Sequence, residues 1–115
     1  MRDIKYRAFV GDRIVKVNAI GWIDGEIDWV DTSENYDIDE DLILMQYTGR
    51  KDSEGKEIYE GDILQSEHYF RYQVVFKGDC WRCEPVKNNH LKNRFIGNDL
   101  KVIGNIYENP ELLED

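Results

Sequence analysis

The chain has 115 residues, of which 41% are hydrophobic, and its formal net charge is −9. This length and apolar content predict one folded domain and exclude a disordered chain. The charge disfavours direct nucleic-acid binding, because such a surface repels phosphates. The first residues are too charged for a signal peptide, and no apolar run approaches the roughly 20 residues of a membrane helix, so we expect a cytoplasmic protein that contacts no membrane.

The first third of the chain predicts an antiparallel β meander. Residues 2–10 alternate as a strand does, and Gly11-Asp12 follows as a turn. Residues 13–22 are rich in β-branched side chains and predict a second strand. Asp24-Gly25 is a hairpin dipeptide, and it leads into a third short strand at 26–30.

An acidic segment follows the meander. Residues 24–41 hold nine Asp or Glu and no Lys or Arg, and residues 1–43 together have a net charge of −6. Residues 31–41 are interpreted as an exposed loop and the acidic segment as a solvated face. Asp37, Asp39 and Asp41 have the spacing that starts a calcium loop. The glycine and the closing glutamate of that loop are missing, so no metal site is predicted.

The stretch 44–64 combines a glycine, a hydroxyl and two cations. Residues 42–47 predict a buried strand or a helical turn, and the sequence does not decide between them. Gly49, Arg50 and Lys51 suggest a phosphate-binding loop, but such loops need several glycines and a following helix. Asp52 to Gly55 is typical of a turn. We therefore interpret 44–61 as a connector loop that leads to the next strand.

The second half of the chain alternates more clearly. Asn109-Pro110 ends the last of its strands and begins a short helical turn. Many short strands with intervening turns predict a small barrel or sandwich. The four predicted strands are Gly61–Glu67, Tyr69–Lys77, Cys80–Lys87 and Leu100–Tyr107.

Cys80 and Cys83 form the only CxxC motif. Redox motifs of this kind lie at a helix N-terminus, whereas this one falls in a predicted strand, where residues three apart point to opposite faces. A zinc site would need His68 and His90 as well, and the spacing fits no strong zinc pattern. We interpret both as ordinary strand cysteines. No cofactor and no catalytic residue is predicted, so we expect the protein not to be an enzyme.

Three segments resemble the YopX-like family of phage and prophage proteins. They are residues 2–9 (RDIKYRAF), residues 45–52 (MQYTGRKD) through Gly61-Asp62-Ile63, and residues 102–113 (VIGNIYENPELL). The resemblance implies a single, mostly β antiparallel domain over 1–115 with an SH3-like barrel in its later part. Residues 1–43 would then be an acidic N-terminal β subdomain, and 44–115 the connector loop plus the barrel.

The leading functional hypothesis is an interaction module that binds a host or phage protein inside the bacterial host cell. Trp22 and Trp29 would be either anchors of that interface or parts of the core, since aromatic residues serve both purposes. An acidic face would steer a basic partner towards the surface. The predicted partner surface consists of Glu34, Tyr36, Asp37, Asp39, Glu40, Asp41, Tyr47, Arg50 and Lys51.

Three alternatives stay open. The chain could be a nucleic-acid accessory protein if its cations gather beside Tyr69, Trp81 or Phe95. It could also mimic DNA, or use its two cysteines for metal or thiol chemistry. Exposed strand edges would further allow a homo-oligomer. The cations of the nucleic-acid hypothesis are Arg50, Lys51, Arg71, Arg82, Lys92 and Arg94.

Overall fold

The computed structural model describes residues 5–33, 42–86 and 91–114. Nine β-strands and one 3₁₀ helix make up the regular structure of these residues. In chain order they are β1 Tyr6–Val10, β2 Arg13–Ile23, β3 Glu26–Thr32, β4 Leu42–Lys51, β5 Glu57–Tyr59, β6 Asp62–Gln65, β7 Arg71–Lys77, β8 Cys80–Pro85, β9 Lys101–Asn105 and the 3₁₀ helix Pro110–Leu113. Among these residues no helix is long and apolar enough to cross a membrane.

The first sheet has five strands in the order β3-β2-β1-β4-β5, and each neighbouring pair is antiparallel. The meander predicted for the first third is confirmed, with turns at Gly11-Asp12 and Asp24-Gly25. Both residues of the second turn have positive φ, 52° and 83°, as the favoured two-residue hairpin turn requires. Ala8, Val10 and Val15 form the buried core of this sheet.

Beyond Lys16, β3 is the one described strand that pairs with β2. Lys16 is opposite Arg7 in β1, whereas β2 and β3 stay paired from Val17–Thr32 to Ile23–Glu26. We call residues 17–32 the ribbon. Two register shifts interrupt its pairing. Each shift changes which side chains of the two strands lie on the same face of the ribbon. Most side chains of this ribbon are exposed, whereas Val30 and Thr32 near its base are buried.

The second sheet has four antiparallel strands in the order β8-β7-β6-β9. Its core includes Leu64 of β6, Tyr72 and Val74 of β7, and Cys83 of β8. Ile58 of β5, which pairs in the first sheet, is fully buried in the same core. The two sheets are therefore joined by shared apolar packing as well as by the chain.

The connector loop interpreted for 44–61 is wrong. Residues 42–51 form β4, which pairs with β1 and then with β5 across the turn after Lys51. The apolar run 42–47 is thus a strand, because β1 offers it an edge to pair with. The boundary that we placed between residues 43 and 44 falls inside β4. Gly61, with a φ of 86°, makes the turn between β5 and β6.

The mostly β, antiparallel fold predicted from the sequence is confirmed. Each of the four strands predicted for the second half exists in shortened form, and Pro110 begins a 3₁₀ helix as predicted. Within the described residues the pairing of the second sheet ends at β8 and at β9, which do not pair with each other. The SH3-like barrel implied by the resemblance therefore stays a prediction.

Candidate functional site

The backbone amides of the loop after β4 are hydrogen-bonded within the protein. Oδ1 of Asp52 accepts the backbone N–H groups of Glu54 and Lys56, both at 2.8 Å, and Oδ2 accepts that of Val102 at 2.9 Å. Burial by itself would raise the pKa of the Asp52 carboxyl, but these three donors lower it below its ordinary value. A phosphate would need the same amides, so the structure argues against a phosphate site here.

The remaining residues of this loop divide between core and surface. Tyr47 is buried and packs against Tyr59, with 5.5 Å between ring centroids. The prediction that Tyr47 belongs to the partner surface is therefore wrong. Thr48 donates its hydroxyl to the Ile58 carbonyl at 2.8 Å. Arg50 and Lys51 are exposed and stay available to a partner.

The acidic part of the predicted partner surface lies outside the described residues. The structure thus gives no test of the acidic face beyond Ser33. The predicted residues concerned are Glu34, Tyr36, Asp37, Asp39, Glu40 and Asp41.

A buried ion pair joins the two sheets. Arg7 of β1 bonds the carboxylate of Asp62 at the start of β6, and Asp62 also accepts the Tyr59 backbone N–H at 2.8 Å. The Arg7 guanidinium lies over the Tyr59 ring, 4.5 Å from its centroid. Burial raises the pKa of Asp62, and the charge of Arg7 opposes that rise. No sequence periodicity marks this pair, because its members are 55 residues apart.

The residues around Asn105 form a second internal network. Asn105 Oδ1 accepts the backbone N–H groups of Tyr107 and Glu108, and the Asn105 N–H is donated to Oδ1 of Asn109. Gly104 leaves the space that Asn109 occupies, since a Cβ there would lie 2.5 Å from Asn109 Oδ1. The C-terminal motif of the resemblance therefore fastens the 3₁₀ helix to β9.

The two cysteines lie in β8 as predicted. Cys83 is fully buried, and burial raises the pKa of its thiol to about 11, so it holds its proton at neutral pH. Cys80 is half-buried at the start of the strand, and both are free thiols. No group of three metal-ligating side chains occurs among the described residues. His90 lies outside them.

Among the described residues, some cations of the nucleic-acid hypothesis already bind other groups of the protein. Arg94 forms a bidentate pair with Asp99, at 2.7 and 2.9 Å, and Arg71 donates to the Leu112 carbonyl. Arg82 lies 5.3 Å from the centroid of the exposed Phe95 ring. One cation–aromatic pair of the expected kind is thus present, while two other cations serve the fold.

The ribbon carries the largest exposed apolar side chains of the first sheet. Trp22, Ile23 and Trp29 are 55%, 58% and 49% exposed. Of the two alternatives considered for Trp22 and Trp29, burial in the core is therefore wrong. The ribbon register places Gly21 opposite Trp29, and the indole lies directly over this glycine. Any larger residue at 21 would displace the ring, so a small residue here lets Trp29 lie flat on the ribbon.

A cleft of about 620 Å³ lies beside residues 16–22 of β2. Ile20 and Trp22 line it from the ribbon, and Tyr59 lines it from β5. Lys5 and Lys16 bring positive charge to its wall, and Glu57, whose carboxylate lies 2.6 Å from Lys5 Nζ, brings a negative charge. Sequence reasoning missed this cleft, because its walls come from strands far apart in the chain.

Comparisons with known proteins agree with the resemblance. The model of the family described as "YopX protein" matches residues 5–114. Among solved structures, the crystal structure of protein EF1440 from Enterococcus faecalis matches with a TM-score of 0.63 and 27% sequence identity, over 99% of this chain and 100% of that one. No curated protein matches this chain.

Proposed function

This chain belongs to the YopX protein family, and we propose that it is a non-enzymatic interaction module that binds a protein partner. We place its action in the cytoplasm of a bacterial host, in accord with the phage and prophage origin that the resemblance implies. We also propose that the second sheet is the SH3-like part of the fold. Ile58 supports this idea, since it brings β5 into the core of that sheet.

The observation that carries the proposal is the exposure of two tryptophan side chains on the ribbon. Tryptophan is the residue most enriched at the energetic centre of protein interfaces. Trp22 and Trp29 are about half exposed on the ribbon, although each could have been placed in a core. The ribbon therefore offers interface residues at a cost in exposed apolar area, which points to a partner.

The charge of the ribbon indicates what kind of partner fits. Four carboxylates lie at its turn and along β3, and all four are exposed. A partner with basic side chains around an apolar pocket would match both the aromatic and the acidic groups. The carboxylates belong to Asp24, Glu26, Asp28 and Asp31.

The test is retrieval of a partner from infected or lysogenic cells with tagged full-length protein. We expect one specific protein to be retained by the wild type and lost with Trp29→Ala. The matched control is Phe95→Ala, which removes an aromatic ring that is 64% exposed in the segment between β8 and β9. Equal retention by the wild type and Trp29→Ala would contradict the proposal. Charge reversal within 34–41 tests whether the acidic residues there add to the binding.

Nucleic-acid association is the second candidate, and the Arg82–Phe95 pair is the observation that favours it. Such a pair stacks on bases while its cation meets the backbone. Titration with single- and double-stranded nucleic acid at low salt decides the matter. Binding that Phe95→Ala weakens would support this candidate, and no binding at low salt would end it.

A further inference from the structure

We propose that the cleft beside Tyr69 binds a sugar unit, with the tyrosine ring as the surface on which the sugar lies. The cleft lies where β6 ends and β9 begins, in the second sheet. The inference does not depend on the protein partner proposed above, because that partner contacts the ribbon of the first sheet.

The starting observation is the backbone of Tyr69, which has a φ of 66°. Among the described residues, the two others with positive φ that are not glycine are Asp24 and Asp79. The short polar side chain of aspartate tolerates this conformation, whereas a bulky residue is strained in it. Strained residues of this kind are concentrated at binding and active sites, where the surrounding structure holds them in place.

Three hydrogen bonds of Ser66 fix the turn that contains Tyr69. The Ser66 carbonyl accepts the Tyr69 N–H and the Ser66 N–H is donated to the Phe70 carbonyl, both at 2.9 Å, while Ser66 Oγ accepts the Phe70 N–H at 3.2 Å. A glycine at position 69 would make the same backbone bond without strain, so the turn does not require a tyrosine. The core does not require it either, because the side chain is 79% exposed, more than any other large hydrophobic residue described. The ring is therefore available to a ligand.

A cleft of about 280 Å³ lies beside the ring. Tyr69 is the one aromatic residue that lines it, and the seven other lining residues are polar. All eight lie within the described ranges, and β8, which precedes the undescribed residues 87–90, is at the opposite edge of the sheet from β9. A ligand that fits this cleft therefore has one apolar face and polar groups around it.

The charges around the cleft disfavour a phosphate ligand. Asp99 is paired with Arg94 through two hydrogen bonds, and Nζ of Lys101 lies 3.4 Å from a carboxylate oxygen of Glu54. Glu67 is exposed and forms no ion pair with another described residue. A phosphate would thus meet three carboxylates and no unpaired cation, and repulsion would oppose its binding.

The unused polar groups of the cleft include both donors and acceptors. The side chains of Ser53, Glu67 and Asn98 form no hydrogen bond with another described residue. The Glu67 carboxylate accepts hydrogen bonds, whereas the Ser53 hydroxyl and the Asn98 amide also donate them. A basic side chain has donors alone and could not accept from Ser53 or Asn98. Sugar hydroxyls donate and accept, and the C–H face of a sugar ring packs on an aromatic ring by dispersion, so a sugar unit matches the whole cleft.

NMR titration of the nitrogen-15-labelled full chain gives the first test. The probes are glucose, N-acetylglucosamine, maltotetraose and chitotetraose. We expect at least one of them to shift the backbone amides of residues 53, 65–69 and 98–101. Tighter binding of a tetraose than of its monosaccharide would identify the ligand as a glycan chain, and equal binding would identify it as a free sugar. No shift of these amides with any of the four probes, or stronger binding of adenosine monophosphate or tetra-arginine at the same amides, would overturn the proposal.

Variants of Tyr69 separate the role of the ring from that of the turn. Tyr69→Phe keeps the ring and should bind the sugar as the wild type does. Tyr69→Gly should raise the dissociation constant roughly tenfold, because the stacking surface is lost, and should raise the urea midpoint, because the strain is relieved. Phe95→Ala, which removes another exposed ring, is the control and should leave sugar binding unchanged. Unchanged sugar binding by Tyr69→Gly would overturn the proposal, and a lowered urea midpoint would show instead that the ring supports the fold.

Discussion

The ribbon and the second sheet handle their apolar side chains in opposite ways. In the core of the second sheet, Leu64 and Leu100 are fully buried. On the ribbon, Trp22 and Trp29 are about half exposed although they are the larger side chains. Burial of the large residues would be the stabilising choice in both regions. The difference indicates that the second sheet supplies most of the stability, and exposed tryptophans on the ribbon are what the proposed contact with a partner would require.

Polar groups show the same division. Asp52, Asp62 and Asn105 are buried. Asp52 and Asn105 accept backbone N–H groups of the turns that follow them, and Asp62 accepts the N–H of Tyr59 in β5. All three lie in the motifs that carry the family resemblance. Those motifs therefore identify the fold, because they fix its turns. On the ribbon the charged groups stay in solvent, where they are free to meet a partner.

The largest effect is expected at Arg7, because removing it separates a buried charge from its partner. Arg7→Met should lower the free energy of unfolding by about 3–5 kcal/mol, since Asp62 is then left ionised and unpaired inside the protein. Urea unfolding of the full chain measures the change. An exposed surface ion pair would contribute less, and the free energy of unfolding would then fall by less than about 1 kcal/mol.

The pH dependence of the Arg7→Met variant sharpens this result. The pKa of Asp62 is already raised above 3.8 in the folded protein, and loss of the cation raises it further. A raised acid pKa means that stability is greatest below the unfolded pKa and falls as pH rises through the folded one. The deficit should therefore shrink on acidification, and Arg7→Met with Asp62→Leu should recover much of the loss at neutral pH.

A smaller effect is expected at Asp52, which holds the turn after β4 to β9. Asp52→Ala leaves three amide donors without their acceptor and should cost about 3 kcal/mol at neutral pH. Asp52→Asn keeps one acceptor oxygen and should cost less. Ser53→Ala, an exposed change in the same turn, is the control. A cost equal to that of the control would contradict the role given to this carboxylate.

Acid titration distinguishes the contribution of Asp52 to stability from that of Asp62. The folded pKa of Asp52 is lowered below 3.8, so its contribution is present above that value and is lost as pH falls through the folded pKa. The wild type thus combines two opposite dependences of stability on pH. Asp52→Asn should remove that of Asp52, and the double variant Arg7→Met with Asp62→Leu should remove that of Asp62.

Sequence reasoning predicted the strands and turns well, because alternation and hairpin dipeptides are local signals. Asp24-Gly25 shows this, since its turn type follows from two residues. It failed at 44–61, where β4 is a strand only because β1 and β5 flank it. It also left open whether Trp22 is core or surface, since burial depends on whether β1 continues alongside β2.

Contacts between residues far apart in the chain could not be predicted from the sequence for the same reason. Asp52 reads as a turn-former, and its third bond, to the Val102 amide, joins residues 50 positions apart. Arg7 and Asp62 carry no spacing signal. The cleft beside β2 depends on which strands lie next to it. Each of these features is set by sheet order, which local patterns do not encode.

The smallest effect on stability is expected on the ribbon itself. Trp29→Ala should cost about 1–2 kcal/mol, because the indole is 49% exposed and loses only its contact with Gly21 and the ribbon face. Tyr72→Ala in the second sheet, where the ring is 5% exposed, should cost about 3–5 kcal/mol by urea unfolding. Equal costs would mean that the ribbon is part of the core. A small cost at Trp29 together with a large loss of partner retention would instead show that its exposed area serves binding.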